Sequence, residues 1–419
     1  MANLVEGSGS MSDKSIAIIG GGIGGVSAAL NLLRAGFDVH VYEQSRALRE
    51  VGAGINMNPN AVRVIHTLGL SDNLARLGVM PLAVHQQRWD DGLTLLRAPL
   101  GIEVERHFGF RQYQSHRADV LKMLVDALPP ERMHIAHRLT GFSERGDKIE
   151  AQFENGTRAS VDVLIGADGI HSTVQRQLFG ATPPRFTGCA AYRGLVLAEK
   201  VKHLGLEVVL QLTMGPGKHF VRYFVAGMRY VNFVAIIEQD SWTKESWTDR
   251  GDINEARTAF AGWHKDVVGV LEAVDETFIW GLFDRAPLAR WSVGRVTLLG
   301  DACHPMLPFM AQGAAQAIED GATLTACLQK YDDIPEALAR YQALRLPRTA
   351  HVQSLAANNK IRFHLPDGPE QMARDAKMAA GGTDFSFKAI EWIYGYDPAV
   401  AVETGSLGLP PQPNLSTPT

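Results

Sequence analysis

Residues Lys14–Glu43 read KSIAIIGGGIGGVSAALNLLRAGFDVHVYE, and the glycine cluster in the middle governs how the rest of the chain is understood. Lys14–Gly20 is a short apolar run of strand length ending in glycines. Gly24–Ala35 carries small and apolar residues at helical spacing, Gly36 punctuates it, and Phe37–Glu43 reads as a second strand. Strand, helix, strand in so few residues is a βαβ unit, since parallel neighbours need a crossover. Gly20, Gly22 and Gly25 match G-x-G-x-x-G. Without side chains there, the turn is tight and the backbone can approach a pyrophosphate, while the helix opening at Gly24 aims free N–H groups at the same point. Glu43 ends the second strand, where a carboxylate can accept bonds from a dinucleotide's ribose. A glycine turn of this kind can also be purely structural, and it does not distinguish one dinucleotide from another.

Two further apolar runs, Val161–Gly166 and Arg295–Gly300, end in acidic turns. Gly166-Ala167-Asp168-Gly169-Ile170-His171-Ser172 puts a carboxylate at a strand's carboxyl end, where open α/β sheets bind ligands. The same residues also fit a turn that caps a helix through Ser172. In Gly300-Asp301-Ala302-Cys303-His304-Pro305, Asp301 can bond a ligand hydroxyl. Gln312-Gly313-Ala314-Ala315 then leads into a helix expected over Ala314–Lys330, with another over Pro335–Ala357. Between the acidic turns, Cys189–Ile237 is rich in β-branched and aromatic residues with period-two stretches, the pattern of a sheet.

The chain has 419 residues, enough for two or three interlocked domains, and its 46% hydrophobic and 21% charged content is that of a globular protein. A net charge of −4 with both signs interspersed gives no basic face for nucleic acid. Cys189, Cys303 and Cys327 form no CxxC pair, which argues against a disulfide framework or thiolate metal site and fits a reducing cytoplasm. The longest apolar runs, such as Tyr230–Ile237, are far short of a membrane span. Residues 1–11 read as an appended leader, and Pro410–Thr419 as a loose tail.

Taken together in this order and spacing, Gly20–Gly25 with Glu43, Gly166–Ser172 and Gly300–Pro305 resemble the group A flavoprotein aromatic hydroxylases, which share the para-hydroxybenzoate hydroxylase fold. His116-Arg117-Ala118-Asp119 resembles a fourth family segment. The resemblance implies an α/β (α+β overall) chain, with a Rossmann-like FAD-binding domain assembled from residues 12–82, 106–185 and 285–365. A mostly β substrate domain would come from 83–105 and 186–284, followed by a helical C-terminal region at 366–419 with a loose tail. It further implies FAD ligands at Gly20, Gly22, Gly24, Gly25, Glu43, Arg117, Asp168, Asp301, Gly313 and Ala314. Asp168 belongs to a segment associated with both FAD and NAD(P)H. NADH or NADPH would visit transiently as reductant, O₂ would be the co-substrate, and the protein would be a monomer or homodimer.

Within the family, Glu50–Ile55, Ala191-Tyr192-Arg193-Gly194 and Trp392–Asp397 are most similar to the salicylate, 3-hydroxybenzoate 6- and 6-hydroxynicotinate 3-monooxygenases. In His219-Phe220-Val221-Arg222-Tyr223, a strand would set His219, Val221 and Tyr223 on one face, with Phe220 and Arg222 pointing away. The resemblance makes His219 and Tyr223 substrate contacts and catalytic candidates; a cross-strand pair that merely packs the sheet is the alternative. Pro305, Phe309 and Met310 would line the pocket. The implied reaction transfers oxygen from a flavin C4a-hydroperoxide to a ring activated by loss of its phenolic proton. Histidine suits that deprotonation because it titrates near neutrality, with Tyr223 relaying or orienting. Phe309, Met310, Phe220 or Phe224 would keep the pocket dry.

Phe309 stands where 6-hydroxynicotinate enzymes carry a second histidine, and Pro308 where the 3-hydroxybenzoate enzyme has glutamine, so the exact substrate stays open. Decarboxylation with hydroxylation is equally open, as are oxidation or epoxidation of a larger apolar substrate and flavin binding without hydroxylation. His134 and His137 have metal-ligand spacing on a helix, but Met133–His137 reads as a strand. No G-x-S-x-G elbow supports a hydrolase. Trp89, Trp242, Trp247 and Trp263 read as packing residues.

Overall fold

The computed structural model describes residues 14–47, 53–242, 250–381 and 386–411. The leader, residues 50–52 of the Glu50–Ile55 stretch, Trp247 and positions 412–419 lie outside the described residues.

Strand β1 (Ser15–Ile19), helix α1 (Ile23–Arg34) and strand β2 (Asp38–Tyr42) form the βαβ unit, with β1 parallel to both β2 and Val163–Gly166. Among the described residues the sheet has six strands, in the order Ser292–Val293, Val296–Leu298, Val163–Gly166, β1, β2, Met133–His134. Ile16–Ile19 and all of Val163–Gly166 are buried, so these strands read as continuous apolar runs, as expected when both faces are covered. The described strands of this sheet come from four separated stretches of chain, the βαβ unit, Met133–His134, Val163–Gly166 and the Ser292–Leu298 hairpin, and three strands between Leu139 and Val161 form their own antiparallel sheet beside it.

The expected strand from Val161 is divided. Val161 ends one strand and Val163 begins another, because Asp162 takes hydrogen bonds from the Ser15 amide (2.8 Å) and hydroxyl (2.9 Å) and pairs with Lys148 (2.8 Å).

A second sheet has, among the described residues, eight strands: Arg250–Gly251, Thr277–Asp284, Arg185–Leu197, Tyr230–Glu238, β3 (Lys218–Val225), Leu210–Gly215, Ala83–Arg88 and Thr94–Pro99. One face packs Phe220, Phe224 and Phe233 against Phe260, Val267 and Val270 of the helices that follow Asp252. The other face looks toward the first sheet. Helix α2 (Gly313–Lys330) matches its sequence pattern, whereas α3 (Ile334–Phe363) runs beyond Ala357. That extension carries Asn359, Arg362 and Phe363 to the cavity between the sheets. Among the described residues, no helix is long and apolar enough to cross a membrane.

Candidate active site

A cavity of about 770 Å³ lies between the two sheets, at the upper end of the range for small-molecule sites. Its first wall is the glycine turn. Gly20 has φ +113°, and a Cβ there would fall 2.3 Å from the Ala167 carbonyl oxygen; one on Gly25 would fall 2.1 Å from the Gly20 oxygen. At Gly22 a Cβ would meet nothing within 4 Å, so this position opens onto the cavity. Gly24 serves packing as well: its Cβ would meet that of Ala317 at 2.9 Å, and one on Gly321 would meet Ala28 at 2.8 Å. These paired small residues bring α1 and α2 together side by side and running the same way. Both amino ends therefore point at the cavity, neither with a side-chain cap. Gly313 and Ala314 line the cavity at the start of α2. Two uncapped helix ends supply unpaired N–H groups and positive potential to one place.

Glu43 accepts from the Gly21 amide (2.7 Å) and the Ser45 amide (2.8 Å), bracing the glycine turn from beneath, and does not line the cavity. Asp168 is also turned inward to its own backbone. It accepts from the amides of Thr173 (2.7 Å) and Val174 (3.3 Å) and from the Ser172 hydroxyl, while Ser172 caps the next helix through the Gln175 amide. The helix-capping alternative thus describes this carboxylate's contacts, and Gly169, Ile170 and His171 are the cavity-lining members of the segment. Burial pushes the Asp168 carboxyl above its ordinary range. Arg117, at the start of its helix, and Asp301 both line the cavity. Asp301 is enclosed by protein yet solvent-accessible, because its exposed surface faces the cavity lumen. Burial raises its carboxyl, opposed by His304 and Arg117.

The opposite wall is the second sheet, whose register arranges side chains in rows. One row runs Arg193, Val234, Val221, Leu212, Gln86 across five strands, and every member lines the cavity. His219 lies in the row on one side, level with Ile236, and Tyr223 in the row on the other, level with Asn232. The face predicted from sequence is the one observed: His219, Val221 and Tyr223 line the cavity, while Arg222 turns away to the Glu207 carbonyl (3.0 Å) and to Gln211. Phe220 and Phe224 pack into the helix-covered face instead of drying the pocket, which corrects that part of the expectation. Pro305, Phe309 and Met310 close the cavity near His219, and the Phe309 ring stands edge-on to His219 at 5.0 Å.

Four residues of strand separate His219 and Tyr223 by roughly 13 Å. Tyr223 therefore cannot hand a proton directly to His219; the two bracket the floor formed by Val221. A Cβ on Gly54 would lie 2.5 Å from the Tyr223 hydroxyl, so only glycine leaves that phenol its position.

The family model described as FAD binding domain matches residues 13–356. The chain belongs to the FAD-binding domain family. It is 40% identical over 385 residues to 3-amino-4-hydroxybenzoate 2-monooxygenase PtnB3 of Streptomyces platensis, covering 92% of this chain and 96% of the relative. It is 37% identical to the 6-hydroxynicotinate 3-monooxygenase of Pseudomonas fluorescens over 82% of this chain and 90% of the relative. The solved structure of a salicylate hydroxylase substrate complex superposes with a TM-score of 0.80 at 26% identity, covering 96% of this chain and 99% of the other. With relatives of this kind, the chain is a flavoprotein monooxygenase, and its cofactor is FAD.

The cavity of this FAD-binding protein suits the cofactor on its own evidence. Asn56 Oδ1, Gln86 Nε2 and Gln312 Nε2 are buried at the cavity without a protein partner, and Gly22 leaves open space in front of an uncapped helix. Gly25→Ala is expected to force the turn apart and abolish FAD retention, because the methyl group would collide with backbone. The flavin-to-protein absorbance ratio after gel filtration measures it, and a fully loaded variant would contradict the assignment.

Behind α2, the flavoprotein monooxygenase buries a charge network. Arg345 bonds Glu319 and Asp320 (the latter at 2.7 Å), and Arg348 bonds Glu319 at 2.9 Å, all four side chains at 0% exposure. Arg348 also donates to the carbonyls of Trp392 (2.7 Å), Ile393 (3.1 Å) and Gly408 (2.6 Å), holding the C-terminal segment against the cavity it helps to line. Cys303, His304 and Asp320 lie within metal-binding distance of one another. Asp320 is committed to His304 (2.6 Å) and Arg345, however, and the Cys303 thiol, raised by burial, donates to the Gly300 carbonyl. Their contacts form a hydrogen-bond network. His134 stacks on Tyr42, and His137 meets Phe153 edge-on.

His364 belongs to no recognisable sequence motif. It follows α3, is 5% exposed, and touches His219 with its Nε2 2.6 Å from His219 Nδ1. Only the extension of α3 past Ala357 brings it there, and no local motif marks that extension.

Proposed function

We propose that this flavoprotein monooxygenase uses NADH or NADPH and O₂ to hydroxylate a small hydroxylated aromatic or pyridine carboxylate. The observation that carries the reading is the cavity floor: one imidazole and one phenol at either end of an apolar patch long enough for a single substituted ring. Arg117, Asp301, Gly313, Ala314 and the glycine turn would hold FAD along the opposite wall. When bound, the flavin supplies an electrophilic oxygen atom derived from O₂.

The chain's own residues do the rest. His219 accepts the phenolic proton and so raises ring electron density. Burial and the neighbouring His364 hold its imidazole well below the ordinary histidine value, so it enters the reaction neutral and ready to accept. Tyr223, whose hydroxyl is raised by burial and remains a donor, orients the far end of the ring. Arg193, stacked 4.1 Å over Trp280, and Arg362 supply positive potential for a carboxylate. Phe309, Phe363 and Met310 exclude water. The amino- and hydroxy-substituted ring carboxylates named for the relatives support this substrate class.

NADH and NADPH consumption in air, scored with product mass, tests it across 3-amino-4-hydroxybenzoate, 6-hydroxynicotinate, 3-hydroxybenzoate and salicylate. At least one compound should accelerate cofactor loss with matching hydroxylated product. Peroxide alone from all four would refute the substrate class.

A further inference from the structure

We propose that His364 and Glu238 join His219 in a proton relay that leads from the cavity to solvent and fixes which nitrogen of His219 faces the substrate. This inference rests on the base role of His219 given above. His219 Nδ1 lies 2.6 Å from His364 Nε2, and His364 Nδ1 lies 2.9 Å from Glu238 Oε1. Exposure rises along the series, from 1% at His219 and 5% at His364 to 45% for the Glu238 side chain. The backbone ties the three elements at one turn: the Gly217 amide donates to the His364 carbonyl (3.0 Å), and the Glu238 amide donates to the Gly217 carbonyl (2.9 Å).

The end group sets the direction. An ionised Glu238 can only accept, so His364 carries its proton on Nδ1 and presents a bare Nε2. His219 must then donate from Nδ1, which leaves its own Nε2 unprotonated toward the cavity it lines. That is the tautomer a general base needs. When Nε2 takes the substrate's phenolic proton, the Nδ1 proton of His219 passes to His364 Nε2. The Nδ1 proton of His364 passes in turn to the Glu238 carboxylate and on to water. While Glu238 holds the proton, the two imidazoles and the carboxyl are neutral and the negative charge sits on the phenolate; release to water restores the Glu238 carboxylate, so one proton has left the cavity. The path runs in reverse when the product phenolate is reprotonated.

Phe309 and Phe363 flank His219 at 5.0 and 5.3 Å, so the proton's route is through the protein. The charged groups at His364 are Glu238 and Lys360. Lys360 donates to the Thr187 carbonyl at 2.7 Å and disfavours a lasting charge on the imidazole.

Histidine-selective ¹⁵N NMR of the FAD-loaded protein, assigned with His219→Asn and His364→Gln, reads the tautomers without any substrate. Both rings should carry the proton on Nδ1; a protonated Nε2 on His219 overturns the proposal. Stopped-flow proton release with a pH dye, on mixing with 3-amino-4-hydroxybenzoate, reads the relay itself. Glu238→Gln and His364→Gln should slow release by about tenfold or more with flavin content unchanged, and Glu238→Asp should restore part of it. Wild-type rates in both slowed variants, with His219→Asn still slow, remove the relay and leave the base role standing. Wild-type rates in His219→Asn remove both.

Discussion

His219→Ala is expected to yield a folded, yellow protein whose coupled hydroxylation falls by roughly 10²–10⁴-fold, the span for loss of a general base. The imidazole reaches the cavity from a strand whose backbone is paired on both sides, and none of its hydrogen bonds supports the flavin wall. FAD retention should therefore survive while product per NADH drops and peroxide rises. The pH profile gives a second check. Because the folded protein lowers the His219 value, its neutral form persists below the ordinary histidine range. The acid limb of turnover should accordingly lie below about pH 6.5. Full coupled turnover in the alanine variant would take His219 out of the mechanism.

Arg345→Met is expected to cost about 3–5 kcal/mol of stability, the penalty for leaving buried charges without a partner. Arg345 is the shared partner of Glu319 and Asp320, and its guanidinium also bonds Gln316 at 2.8 and 3.1 Å. Methionine fills much of the volume but satisfies neither carboxylate. Lys122→Ala, which breaks an exposed pair with Asp126, should by contrast change stability by only about 0.5 kcal/mol or less. Urea unfolding of the two variants separates these outcomes, and equal midpoints would show that the network contributes little. Acid has a worked sign here. Burial pushes the Asp320 carboxyl up, but His304 and Arg345 outweigh it and hold it at about 2. Its contribution is complete above the unfolded carboxylate value near 4 and is lost as pH falls toward 2.

The cofactor half of the molecule was the legible half. Glycines that must be glycine for backbone clearance, and acidic turns at strand ends, leave local signatures, and three together name a family. The strand at His219 was equally legible, because alternation alone decides which side chains share a face. Less could be read where a residue's use depends on distant chain. Glu43 and Asp168 sit where motif logic puts ligand carboxylates, and the amides that each also accepts from are not marked by those motifs. Phe220 and Phe224 were ambiguous until the helices after Asp252 covered their face. His364 and the Arg345–Arg348 network are contacts between segments far apart in sequence, and composition carries no trace of them. The aminohydroxybenzoate hydroxylases, similar at 40% identity, were likewise not named from motifs.

The spacing of His219 and Tyr223 along a single strand turns the pleat into a measuring stick. Same-face positions recur only every two residues, roughly 6.6 Å, so this gauge changes length in whole steps and never gradually. An enzyme of this architecture that adopts a longer molecule cannot stretch the present grip. It must abandon one end and take that contact from the next same-face position or from a neighbouring strand, which makes selectivity here a matter of discrete jumps.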